Sequence, residues 1–124
     1  MTLVGLVGRI LLGTYFLLPG IMKFVDPASG ITLMTERGMP LVEPLYWTAA
    51  VLEVVLGAML IIGFRPVIAA LSLAALTLAI NIGVHNFWAV PEELVFAEAQ
   101  LFVKNTGILA GLLVTGAWEY SRRK

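Results

Sequence analysis

The sequence predicts an all-α integral membrane protein, a four-helix bundle with a short interfacial helix between its first and second spans. Three observations predict it. The 124 residues are 60% hydrophobic and 13% charged, with a mean hydropathy of +0.95, whereas a soluble domain is nearer half apolar and a quarter charged. The apolar residues fall into four runs, each close to the roughly 20 residues that cross about 30 Å of hydrocarbon. The small and polar residues inside those runs recur at steps of three and four, so each helix keeps one such stripe and shows lipid the rest. Four spans with short connections use nearly all of the length, so residues 1–124 read as a single membrane domain.

Span one is expected over residues 3–25. On a helix its Gly5, Arg9, Gly13, Phe16, Gly20 and Lys23 share one face, and Leu, Ile, Val, Tyr and Met cover the others. The N-terminus carries no basic n-region and no small-residue cleavage site, so this span is expected to be retained. Asp26-Pro27 ends it, Asp as an N-cap and Pro in the first turn of a following helix. A short interfacial helix is expected from Ala28 to Gly38, stopped by Gly38, Met39 and Pro40.

Span two is expected over 44–63. Tyr46 and Trp47 read as an interfacial anchor, and the stripe is Tyr46, Ala50, Glu53, Gly57. Only Phe64-Arg65-Pro66 separates it from span three, so the two are antiparallel neighbours. Span three, 67–88, has no charge from Val67 through Val84 and carries Ala70, Ala74, Thr77, Asn81, His85 and Trp88 on its stripe. A loop from Ala89 to Glu98 follows, with Glu92, Glu93 and Glu98. Span four, 99–118, is given the stripe Gln100, Lys104, Gly107, Gly111, Val114 or Thr115, and Trp118.

Cations collect at Arg65 and Arg122-Arg123-Lys124, while glutamates fill the connection between spans three and four. The positive-inside rule therefore puts both termini in the cytoplasm. Eight Lys and Arg balance eight Asp and Glu, which leaves no bulk electrostatic case for nucleic acid. The absence of cysteine excludes disulfides and a dithiol relay of the chain's own. One histidine and no cysteine leave no metal or haem site to expect.

Two groups of polar residues stand out. Arg9 lies about 12 Å in from Met1, and Glu53 about 15 Å in from Gly63, at 1.5 Å per helical residue. Charges at such depth face the bundle interior and pair, so an Arg9–Glu53 ion pair is expected, either as a latch or with Glu53 on a proton or substrate path. Lys23, Asn81, His85, Lys104 and Asn105, with Gln100 beside them, gather at the outer ends of three spans. Such a cluster is equipped to bind an anion or the carbonyl oxygens of a quinone, with His85 as a proton shuttle. The same residues also serve two plainer roles, Lys snorkelling to the interface and Asn or His bonding helices together.

With these residues in place, the sequence resembles the DoxX family of small four-span membrane proteins. The likeness rests on Arg9, Gly20 and Lys23 followed by Asp26-Pro27, then Gly38 and Pro40, then Glu53 and Gly57 followed by Gly63 and Arg65, and last His85 and Lys104-Asn105. Relatives often carry paired glycines in span four, where this chain has Ala110-Gly111. The resemblance implies a multi-pass inner-membrane bundle associated with redox chemistry. In that role it is an accessory or subunit beside a soluble or membrane oxidoreductase, with quinone as the non-covalent cofactor to consider, and any catalysis is that of an oxidoreductase subunit acting with a partner. A non-catalytic scaffold or assembly factor, and a small-solute or proton carrier, are the other readings. A homo-oligomer fits a bundle that encloses so little volume.

Overall fold

In the computed structural model, which describes residues 1–123, the chain forms α1 (Thr2–Val25), α2 (Pro27–Glu36), α3 (Val42–Ile62), α4 (Pro66–Gly83), a single 3₁₀ turn (Phe87–Ala89) and α5 (Glu92–Arg122). No strand occurs among the described residues. Four helical segments are long and apolar enough to cross a membrane: α1, α3, α4 extended to Ala89, and α5. The chain is an all-α membrane bundle. α1 packs chiefly on α3 and α4 chiefly on α5, and α3–α4 contacts join the two antiparallel pairs. The bundle has a termini end, where α1 starts and α5 stops, and an opposite end crossed by α2.

Buried groups follow the stripes of the first three spans. Arg9, Gly13, Phe16 and Gly20 are buried on α1, Tyr46, Ala50, Glu53 and Gly57 on α3, and Ala70, Ala74, Thr77 and Asn81 on α4. The apolar core is Phe16, Leu56, Leu60, Ala69, Ala70, Leu73, Ala74 and Leu112. Large apolar residues such as Leu3, Leu11, Val55, Ile68 and Val103 face outward, the arrangement expected where the surrounding solvent is hydrocarbon.

Local chemistry explains the turns. Gly63 adopts φ 78° as the C-cap of α3, and its N–H and that of Phe64 both reach the Met59 carbonyl. Glycine holds this left-handed position without a Cβ penalty. Pro66 then opens α4, where a missing N–H costs nothing. At the other end Asp26 is the N-cap of α2 by position, and its carboxylate takes the Ser29 hydroxyl at 2.6 Å instead of a backbone N–H.

Three expectations need correction. The loop drawn from Ala89 to Glu98 is mostly helix, because α5 begins at Glu92. Pro91 sits at its N-cap, and the acidic Glu92 and Glu93 fill its first turn, where the helix dipole favours negative charge. Span three ends as a helix at Gly83, not Trp88, so His85 lies on the turn that follows. Tyr46 is no interfacial anchor: it is 1% exposed, and its hydroxyl donates to the Lys23 carbonyl at 2.7 Å. That carbonyl belongs to the last turn of α1, whose acceptors have no donor within the helix. Tyr46→Phe is expected to cost about 1 kcal/mol of stability, the net worth of one such bond. Thermal unfolding in detergent reads it, and identical melting of variant and wild type would remove this bond from the account.

Candidate functional site

Interhelical charges pair according to how helical side chains lean. A side chain tilts toward the N-terminus of its own helix, so α1 side chains lean toward the termini end and those of antiparallel α3 and α5 lean the other way. Glu53 lies level with Gly20 and Arg9 level with Gly63, so the expected Arg9–Glu53 pair does not form. Lys23 instead meets Glu53, with Nζ 2.7 Å from Oε1 and 3.1 Å from Oε2. Arg9 meets Glu119 on α5, Nη1 donating to Oε1 at 2.9 Å. Each pair has its α1 member on the α2 side of its partner, as the converging tilts require.

The Lys23–Glu53 pair lies in the wall of a cavity of about 190 Å³, between α1, α3, α4 and α5. Tyr15, Thr77, His85 and Asn105 add polar groups to the wall, and Phe16, Pro19, Ile80 and Leu101 supply its apolar part. Glu53 is 4% exposed; a charge so enclosed is held by the cation beside it. Pro19 has no N–H, so the Tyr15 carbonyl beside the cavity lacks its ordinary helical donor. The Tyr15 hydroxyl approaches Asn105 Oδ1 at 3.4 Å, a long contact.

His85 stands at the cavity's edge, held by a second charge group. Its Nδ1 lies 2.8 Å from Glu98 Oε2, and Arg37 at the end of α2 bonds Glu98 Oε1 while its Nε donates to the Val84 carbonyl at 3.3 Å. The carboxylate thus engages one ring nitrogen and leaves Nε2 as the nitrogen open to a ligand. Lys23, Ile80 and His85 also line a second, larger and mostly apolar groove of about 340 Å³, which α2 and the start of α3 cover with Leu33, Met34, Met39, Leu45 and Tyr46. Lys23, Ile80 and His85 thus line both hollows.

The outer-end cluster read from the sequence therefore divides. Lys23, His85 and Asn105 line the cavity. Asn81 is buried between α4 and α5, where its Nδ2 donates to the Phe102 carbonyl at 3.2 Å and approaches Thr106 Oγ1 at 3.4 Å. It staples helices one turn beyond the cavity-lining Thr77. Lys104 and Gln100 are exposed on the outer side of α5.

Sequence reasoning missed four contributors: Tyr15, Arg37, Glu98 as the partner of His85, and Glu119. A signal for the last two exists. Glu98, Asn105, Leu112 and Glu119 recur every seven residues, two helical turns apart, and Glu119 precedes arginines by three and four positions.

The family model described as DoxX matches residues 4–86. That stretch holds Arg9, Lys23, Arg37, Glu53, Asn81 and His85, while Glu98, Asn105 and Glu119 lie beyond it. No curated protein and no solved structure matches the chain. The match spans α1 to the turn after α4, and the chain belongs to the DoxX family.

Proposed function

We propose that the Lys23–Glu53–His85 cavity binds a quinone head group, and that the protein serves a partner oxidoreductase as its quinone-docking membrane subunit. One observation carries the reading: a small cavity with charged and polar groups in its wall and a larger, mostly apolar groove share Lys23, Ile80 and His85. A quinone has this division, a ring with two carbonyl acceptors and an apolar tail. A dry cavity of about 150 Å³ accepts benzene, so a single six-membered ring fits the space. Lys23 Nζ supplies an N–H group for one carbonyl oxygen, and the His85 ring supplies one from Nε2 in its doubly protonated form, paired with the Glu98 carboxylate. Reduction to the quinol takes two electrons and two protons. The partner supplies the electrons, since the chain has no cysteine to relay them, and the hydrogen-bonded His85–Glu98 pair at the edge passes the protons.

We take the membrane to be the inner one, with both termini cytoplasmic. Arg65, Arg122 and Arg123 lie at the termini end, while Glu92, Glu93 and Glu98 lie at the other, the asymmetry of the positive-inside rule. A homo-oligomer is compatible with the face of α5 at Gly107, beside which an added Cβ would meet nothing within 4 Å.

Binding of a short-tailed quinone to the purified protein in nanodiscs, followed by calorimetry, tests the reading. Lys23→Ala and His85→Ala are each expected to weaken binding about tenfold, the loss of one polar contact in a desolvated site. Lys104→Ala is expected to leave it unchanged, because Lys104 faces outward. Binding that ignores all three substitutions, or no binding by the wild type, would return the protein to a scaffolding role.

A further inference from the structure

At the termini end a single carboxylate holds three guanidiniums. Glu119 is fully buried and accepts four N–H bonds: Arg9 Nη1 at 2.9 Å, Arg122 Nε at 3.0 Å and Nη2 at 3.2 Å, and Arg123 Nε at 2.8 Å. A carboxylate offers about four acceptor sites, so Glu119 is saturated. Among the described residues three cations face one anion, and two positive charges remain without a counterpart in the cluster. Arg9 is 7% exposed, yet its Nε has no hydrogen-bond partner among the described residues. That nitrogen is enclosed, so the N–H groups open to a ligand are those of Arg122 and Arg123. Arg122 and Arg123 keep part of their side chains open to the outside.

The geometry points to a second anion at this cluster, a phosphate ester whose oxygens take the guanidinium N–H groups that Glu119 cannot. Planar guanidinium forks match phosphate oxygens in pairs. The position favours the phosphate of an anionic lipid. The cluster closes the end of the bundle, Leu3 and Val4 on α1 and Val114 on α5 face outward nearby, and Trp118 lies under Arg122 at 4.7 Å. Acyl chains lie along those apolar side chains while the head group reaches the arginines. Basic clusters at the ends of membrane helices recognise anionic lipids in this way. The proposal does not depend on the quinone reading.

The test is lipid enrichment around the full-length protein in nanodiscs of phosphatidylcholine with a minor share of phosphatidylglycerol, measured by native mass spectrometry. The wild type is expected to retain phosphatidylglycerol about tenfold above its share in the bilayer, and Arg122→Gln with Arg123→Gln to bring it down to that share. Arg65→Gln removes a charge at the same end but outside the cluster, since its guanidinium packs over Phe64. It should leave the enrichment unchanged. A melt in pure phosphatidylcholine confirms that the variants remain folded. Inorganic phosphate that displaces the lipid would assign the site to phosphate chemistry in general. No enrichment by the wild type, or an equal drop in all the variants, would overturn the proposal, because a diffuse surface field explains that result without a site.

Discussion

Glu119→Gln is expected to destabilise the protein by about 3 kcal/mol, because removing one member of a buried ion pair leaves the other charge unmatched in a medium of low dielectric. Arg9 cannot escape to water: it is 7% exposed, and it lies against Gly63, where an added Cβ would come within 2.9 Å of its Nη2. Arg122 and Arg123 suffer less, since both are partly open to the outside. The pair itself is not expected to be worth as much as its rupture costs. Replacing Arg9 and Glu119 together by methionine should recover most of the loss, since an apolar pair of similar volume serves about as well in a buried site. Thermal unfolding of the two variants in one detergent decides the matter. Glu119→Gln melting with the wild type would show that the arginines find other acceptors, and a double variant as weak as the single one would point to shape rather than charge.

The helices that the sequence described well are those whose inward face carries both its glycines and its charges. On α1 the spacing of Arg9, Gly13, Phe16 and Gly20 leaves one choice of face, and that face is buried. On α5 the two signals disagree. Gly107 and Gly111 suggest one face, but Gly107 meets nothing and Gly111 touches only Leu12 at 3.8 Å. The inward face, rotated by about one residue, carries Glu98, Asn105, Leu112, Gly116 and Glu119. Hydropathy had cut off both ends of that helix, and with them the glutamates that mark the face. The charge pairings failed for a separate reason. Counting residues from the helix ends placed the Cα atoms of Arg9 and Glu53 at similar depth, but Gly20 packs on Glu53 and Gly63 lies against Arg9, so the two charges stand roughly 15 Å apart along the helices at 1.5 Å per residue. The register of the helices, with the opposite lean of their side chains, brings Lys23 to Glu53 and Arg9 to Glu119.

These pairings divide the bundle by role. The termini end is closed by a saturated carboxylate, and the other end holds the cavity, the groove and the groups able to titrate beside them. Arg37 ties α2, the cover of the apolar groove, to the carboxylate that holds His85. Entry to the groove and the setting of the histidine therefore share one ion pair, and a ligand that lifts α2 also releases Glu98 from Arg37.

Gly57→Val is expected to abolish the folded bundle. A Cβ at Gly57 would stand 2.8 Å from the Gly13 carbonyl oxygen and 2.9 Å from the Leu17 N, and one at Gly13 would stand 2.7 Å from the Gly57 carbonyl oxygen. These obstacles are backbone atoms, so no rotamer change relieves the clash and α1 must move away from α3. Overpacking in a core costs about 1–3 kcal/mol and more where nothing can yield. Alanine gives the sharper test, because in an open helical position it gains up to about 1 kcal/mol over glycine in intrinsic propensity. Gly107→Ala should therefore melt at or above the wild type, since it meets nothing within 4 Å, and Gly57→Ala should melt well below it despite the same gain. Two glycines on two spans, the same substitution and opposite signs would establish that the α1–α3 contact is a backbone contact. That contact also sets the reach of Lys23 to Glu53, so the Gly57→Ala protein that does fold should bind quinone more weakly than wild type, whereas Gly107→Ala should bind it unchanged. Equal melting of the two alanine variants would mean that the helices can separate without loss, and the cavity would then owe its shape to the charge pairs and not to the glycines.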